Sequence, residues 1–220
     1  MIEVSLGAML RMLGQGALET LKLLPLCIVF SMVAGTMLGV IRSGRLPGVN
    51  QLISLFVLGM RGTPPLIVLF LVFYTANLQS EFLSAVLALS IYHTAYVTEI
   101  VRGGIASIPK GQFEAARSLA LSTSQVMRKV ILPQIWRQVL PALAGQYIIL
   151  VKDTALVSVI GVREILWAGR QIMQLTYNPF LPYFLIGVFF YAVCYSLERL
   201  SLIAERKAKT YISVSGGTHG

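Results

Sequence analysis

Residues Glu114–Pro133 read EAARSLALSTSQVMRKVILP, a polar interruption in a chain that is otherwise strongly apolar. The stretch follows a turn signal, Ile108-Pro109-Lys110-Gly111, where Pro and Gly end whatever precedes them. Glu114-Ala115-Ala116-Arg117 then offers good helix formers, acid first and base later, the order that suits a helix dipole. Ser122-Thr123-Ser124 supplies candidate N-caps, and Gln125–Ile131 predicts a second short helix that Pro133 closes. Ala115, Ala116, Ser118 and Ala120 are small, so the first helix is able to lie close in the groove of another protein. On composition alone, a solvated helical hairpin between membrane spans reads equally well.

Outward from this hairpin the composition is decisive. A chain of 220 residues that is 56% hydrophobic and 12% charged is too apolar for a soluble domain of its size. The expectation is an all-α polytopic membrane protein, a single transmembrane domain over residues 1–212 with a polar tail, Ser213–Gly220, predicted to be disordered. A net charge of +9 raises the question of nucleic acid. The bases flank long apolar segments instead of sharing one face with interleaved aromatics, which argues against it. Cys27 and Cys194 each sit inside an apolar run and read as small hydrophobes, not as a disulfide. The N-terminus lacks the basic, apolar, small-residue order of a removed signal peptide.

Taken in order, the apolar runs predict five spans. These are about Thr20–Ile41, with Pro25 near its start; about Asn50–Ala76, interrupted by Arg61-Gly62-Thr63-Pro64-Pro65; about Phe82–Val101; about Val139–Ile160, containing Lys152-Asp153; and Pro179–Leu197, rich in Phe and Tyr. Gly161–Asn178 is too polar to span. Arg42, Arg45, Pro47 and Gly48 make the first turn. With the N-terminus outside, the inner side collects Arg42, Arg45, Arg102, Lys110, Arg117, Arg128, Lys129, Arg137, Arg199, Arg206, Lys207 and Lys209. The outer side keeps Arg11, Lys22, Arg163 and Arg170, so the Glu114 loop and the C-terminus are expected in the cytoplasm.

Two polar features lie inside predicted spans. The break at Arg61, Gly62, Thr63 and Pro64 frees backbone groups that a bilayer cannot satisfy; a kink packed on a neighbouring span and a discontinuous segment beside a transport path both account for it. Asp153 is an ionisable group within a span, where such groups face the bundle interior or water and mark pathways. Its alternative role is an ion pair that fixes packing, with Arg61 as the candidate partner. His93 and His219 lack metal-ligand spacing, and His93 reads as a packing residue. No metal site, Walker A pattern or G-x-S-x-G element occurs, so no catalytic residue is expected and ATP is not expected to bind this chain alone.

Glu114-Ala115-Ala116, a small residue at the seventh position and Leu132-Pro133 beyond it resemble the EAA loop of ABC importer permeases. Ala120 stands where that family usually has Gly, keeping the profile small but losing easy access to positive φ, which speaks against a Gly-dependent bend. Arg61-Gly62-Thr63-Pro64, Ala95-Tyr96 with Glu99-Ile100-Val101-Arg102-Gly103-Gly104-Ile105, Ile108-Pro109-Lys110-Gly111-Gln112, and Lys152-Asp153-Thr154-Ala155-Leu156 with Ser158-Val159-Ile160-Gly161-Val162 extend the likeness. Together they resemble the polar-amino-acid branch of type I ABC importer permeases.

That resemblance implies a five-span core in a bacterial inner membrane. It also implies a coupling helix of Glu114, Ala115, Ala116 and Ala120, and a second permease subunit, identical or paralogous. Further implied partners are two ATPase subunits that carry ATP and Mg, and a periplasmic or anchored binding protein that delivers an amino acid. An ion-coupled secondary transporter without an ATPase is the alternative, but no internal repeat supports it. Gln146 and Asp153 are seven residues apart and project from one helix face, with Leu58 one turn before the Arg61 break. In family members that carry cationic substrates, acids are expected near the positions of Leu58 and Gln146; here both are neutral. One acid suffices for an α-ammonium, so a neutral or acidic polar amino acid is expected over lysine or arginine, with Gln146 reading its side chain.

Overall fold

A computed structural model describes residues 5–44 and 46–215, with the backbone alone at 117, 137 and 204–215. Arg45 of the first predicted turn and tail residues 216–220 lie outside the described residues. Every regular element described is helical. Helix α1 spans Leu6–Arg42, α2 Pro47–Gly62, α3 Pro65–Thr75, α4 Glu81–Ala106, α5 Lys110–Ser118, α6 Thr123–Val126, α7 Leu132–Asp153, α8 Ile165–Thr176 and α9 Phe180–Ser215. A π-helical turn, Met127–Ile131, joins α6 to α7, and a 3₁₀ segment, Thr154–Ile160, prolongs α7. Four segments are long and apolar enough to cross a membrane; the pair α2 and α3, bent by 113°, counts as a fifth when taken as one broken span rather than a re-entrant loop.

Helix α4 is the centre of the bundle. Of its most apolar window 72% is buried, against 28% for α1 and 11% for α9. It touches α1, α2, α3 and α7. Hydrocarbon gives helices no hydrophobic reason to associate, so close van der Waals contact between small residues must supply it. The buried stripe of α1 is accordingly small or slim: Gly16, Thr20, Cys27, Ser31, Gly35 and Gly39 among its members. At Gly35 a Cβ would stand 2.5 Å from Val97 Cβ, and at Gly39 it would stand 2.9 Å from the Thr98 carbonyl oxygen and from Val101. Gly104 repeats the device toward α7, where Val139 fills the space a side chain would need.

Several boundaries differ from the sequence reading. Helix α1 starts at Leu6, well before Thr20, so Pro25 lies in its interior instead of near its start, and its ring costs one helical hydrogen bond there. Pro133 does not close a helix. The chain widens into the π turn, where the Leu132 amide donates to the Met127 carbonyl, five residues back, and Pro133 then sits in the first turn of α7, where an amide is not needed. The predicted N-cap holds: Ser122 Oγ accepts from the Gln125 amide, and the Gln125 side chain accepts in return from the Ser122 amide. The predicted fourth span is two conformations in series, α-helix to Asp153 and 3₁₀ beyond it. The last helix continues through Ser215, past the expected start of the tail.

Ala120 has φ +54°. The expectation that alanine would forgo the bend is therefore wrong: the turn between α5 and α6 is left-handed with a Cβ present, at a cost of about 1–2 kcal/mol. Ala120→Gly should recover part of that cost, raising the stability of the purified chain by up to about 1 kcal/mol; an unchanged or lower unfolding midpoint in detergent would contradict it. Gly39→Ala should do the opposite, lowering stability by about 1–3 kcal/mol through the overpacked α1–α4 contact. Gly14→Ala, at a helical position with open space around it, is the matched control and should be neutral or stabilising.

Candidate functional site

Polar side chains on a helix buried in an apolar bundle persist only with partners. On α4, Thr94 and Thr98 solve this locally, each hydroxyl donating to the carbonyl four residues back at 2.7 Å. His93 solves it with another helix. Its side chain is wholly buried; Nδ1 lies 2.8 Å from Gln146 Nε2, and Nε2 lies 3.3 Å from Asp153 Oδ2. The second contact is close enough for electrostatic attraction but out of line for a good hydrogen bond. Gln146 and Asp153 do share one face of α7, and they grip the imidazole from two sides. Gln146 is 6% exposed and the Asp153 side chain 18%, so Asp153 is the member a solute reaches first. Its neighbour Lys152 is exposed and faces elsewhere.

The same ring leads toward the helix break. His93 meets Tyr92 edge-on at 5.4 Å, the Tyr92 and Tyr96 hydroxyls are 3.1 Å apart, and the Arg61 guanidinium lies 5.7 Å above the Tyr96 ring. Asp153 is thus partnered by His93, and the alternative of an Arg61–Asp153 ion pair is not what the described residues form. At the break, Pro64 and Pro65 carry no N–H for the carbonyls of Met60 and Arg61. The Thr63 amide reaches the Met60 carbonyl at 3.4 Å, and Thr63 Oγ1 donates to the Gly59 carbonyl at 2.8 Å. The Arg61 carbonyl has no such substitute among the described residues. Arg61, Gly62 and Pro64 are exposed and Thr63 half-buried. Leu58 is not drawn into this cluster: it is 71% exposed, on the side of α2 away from buried Ile53 and Val57.

Toward the α5 end of the bundle, Glu99 is a hub. One carboxylate oxygen accepts from Arg102 Nε at 2.9 Å and from its terminal nitrogen, the other from Arg42, whose Nε donates to Ser54 Oγ at 3.1 Å. Helices α1, α2 and α4 are tied together there. On α5, Glu114, Ala115, Ser118, Leu119 and Ala120 at its end are exposed, Leu119 by 75%. Ala116 is not on that face. At 4% exposure it belongs to the core that also holds Val126, Ile131 and Ile135. Its small side chain seats the hairpin on its own bundle, a role the expected docking contact had hidden.

A cavity of about 720 Å³ lies elsewhere, at the Glu81 end of α4, lined by Gln15, Glu19, Glu81, Arg163 and Trp167 among others. It does not include His93, Gln146 or Asp153. Beside it, Glu164 caps α8, accepting from the Leu166 and Trp167 amides at 2.8 and 2.7 Å. Its burial outweighs those bonds and the nearby Arg170, pushing its carboxyl from an ordinary 4.5 up to about 7.

His93 is wholly buried, as its reading as a packing residue expects, but sequence reasoning missed its partners. The signal was present: an ionisable side chain in the middle of a predicted span invites the same question as Asp153. Metal-ligand spacing was the wrong test for it, because its partners are an amide and a carboxylate on another helix. Glu99 was quoted only as part of a motif, and spacing within one span does not announce Arg42 as its partner.

The model of the family described as binding-protein-dependent transport system inner membrane component matches residues 10–210. The chain is 36% identical over 204 residues to the probable glutamine ABC transporter permease protein GlnP of Bacillus subtilis, covering 90% of this chain and 92% of that one. It is 34% identical over 195 residues to the arginine ABC transporter permease protein ArtQ of Haemophilus influenzae, covering 84% and 87%. A crystal structure of an amino acid ABC transporter with histidines superposes with a TM-score of 0.82 at 31% identity, covering 94% of this chain and all of that one. An inward-facing MetNI methionine ABC transporter, at 22% identity and a TM-score of 0.74, shares the fold. The chain belongs to the family of binding-protein-dependent transport system inner membrane components and is a multi-pass permease subunit of an ABC importer.

Proposed function

We propose that this permease subunit carries a polar amino acid past Asp153 and Gln146, driven by separate ATPase subunits that dock on the exposed face of α5. The observation that carries the substrate site is the placement of the Asp153 carboxylate. It is held on one side by His93, remains partly exposed, and is linked through Tyr92 and Tyr96 to the Arg61–Pro64 break. An ionised group and an unpartnered carbonyl in a span are tolerated where water or a solute reaches them. The relatives named above are called glutamine and arginine permeases, so their names do not choose a substrate. The chemistry of the face does: Asp153 is positioned for one α-ammonium, while Gln146 beside it offers nothing to neutralise a second positive charge. A neutral or acidic polar side chain is favoured over lysine or arginine.

The working assembly in this reading has two permease subunits, two ATPases holding ATP and Mg, and a substrate-binding protein on the opposite side. The excess of Lys and Arg in the loops on the α5 side supports a cytoplasmic α5 side with the N-terminus outside. The docking face is Glu114, Ala115, Ser118, Leu119 and Ala120, with Ala116 beneath it as the seat.

Two measurements test this. In proteoliposomes with the binding protein and ATPase, Asp153→Ala should cut uptake by about tenfold or more, the loss of one charge-assisted hydrogen bond, and arginine should compete poorly. Full activity in that variant, or preferred arginine uptake, would remove the substrate site. For coupling, Leu119→Asp should abolish co-purification of the ATPase while leaving the unfolding midpoint of the chain unchanged. Ala116→Trp should instead lower that midpoint, because its side chain is buried. Co-purification surviving in Leu119→Asp would move the docking face elsewhere.

A further inference from the structure

Given the substrate site proposed above, on which this step rests, His93 governs what Gln146 and Asp153 present to it. The constraint is electrostatic on one side of the ring and hydrogen-bond valence on the other. The Asp153 carboxylate lies 3.3 Å from Nε2, out of line for a good hydrogen bond but close enough for its charge to favour the proton on that nitrogen. In a neutral imidazole the other nitrogen, Nδ1, is then bare and only accepts. Gln146 must therefore turn its amide nitrogen inward, which is the 2.8 Å contact found. The Gln146 carbonyl oxygen is the amide atom turned away from the ring, and no hydrogen bond to it is made among the described residues.

We propose that His93 is a positioning residue that holds Gln146 with its carbonyl oxygen toward the path, so that Gln146 and Asp153 both present acceptors and select an amino acid whose neutral side chain donates N–H, a primary carboxamide. Asp153 takes the α-ammonium and Gln146 Oε1 takes the side-chain N–H. This narrows the neutral-or-acidic choice above, because a side-chain carboxylate placed at Gln146 would meet an acceptor where it needs a donor. The opposite arrangement has a definite signature. An imidazolium, or a ring protonated on Nδ1, would draw Gln146 Oε1 inward, turn its NH₂ outward and favour a carboxylate side chain.

The ring itself can be read. With His219→Ala, His93 is the one histidine left in the chain, and its ¹⁵N NMR spectrum in nanodiscs should show a protonated Nε2 and a bare Nδ1. A proton on Nδ1 would overturn the proposal without any folding question. The second arm is the ratio of glutamine to glutamate uptake in the reconstituted importer, each variant compared with wild type so that the binding protein's own preference cancels. His93→Phe, which cannot hold the amide, should lower that ratio by about tenfold, the equivalent of one hydrogen bond, through a raised KM for glutamine with kcat little changed. His93→Gln, which can accept from Gln146 and donate to Asp153, should restore it, and adding Gln146→Leu to His93→Phe should change it no further. An unchanged ratio in His93→Phe alongside lost uptake in Asp153→Ala would sink the positioning role alone. Unchanged uptake in both Asp153→Ala and Gln146→Leu would sink the site on which it rests.

Discussion

A hydrocarbon surrounding satisfies no hydrogen bond, so a broken helix and an ionisable side chain within a span each need a partner from the protein or from water. In this chain both needs converge on α4. His93 meets Gln146 and Asp153 of α7, while Tyr96 on the same helix lies under the Arg61 guanidinium at the α2–α3 break. Farther along α4, Glu99 gathers Arg42 and Arg102. The order of these contacts follows from α4 being the most enclosed helix, which in turn depends on the close approach that Gly35 and Gly39 permit. Widen that contact and Arg42 of α1 is drawn away from Glu99 of α4.

This arrangement connects the two ends of the molecule in physical terms. The α5–α6 hairpin is seated by Ala116, turned by a strained Ala120 and fastened by the Ser122–Gln125 capping box. From there an uninterrupted helical path runs through the π turn into α7 and ends at Asp153, where the helix tightens to 3₁₀. The hairpin and the carboxylate thus lie toward the two ends of one continuous helical run. A π turn and a 3₁₀ segment at the two ends of one helix are places where helical hydrogen bonding changes register, and such places serve as hinges.

Much of the fold was legible from composition and periodicity alone. The five apolar runs, the break at Arg61–Pro65 and the Ser122 cap all lie where local chemistry puts them, because span length, Pro-Pro and an Ser-x-x-Gln box act within a few residues. What escaped was set by contacts between helices. Pro25 and Pro133 signal helix ends locally, yet long helices continue past both because tertiary packing and a π turn absorb the missing amide. Ala120 looked unsuited to a left-handed turn by propensity, but the loop closes over it regardless. Ala116 was misjudged, and the partners of His93 went unseen, for one reason: which face of a helix is buried, and against what, depends on elements far away in sequence. Gln146 and Asp153, by contrast, were placed on a shared face by spacing alone, since seven residues is close to two turns.

The central claim is that the Arg61–Pro64 break and the Asp153 cluster border one hydrated path through the bundle. Its most direct test is thiol accessibility at Thr63, the half-buried residue at the break. In a chain whose Cys27 and Cys194 have been replaced by Ala, Thr63→Cys should react with a small water-soluble thiol reagent, at rates that differ between resting and nucleotide-bound assemblies, and saturating substrate should slow the reaction. A thiol at that position that stays inert in both states would mean a dry, packed kink, and the path would have to run elsewhere.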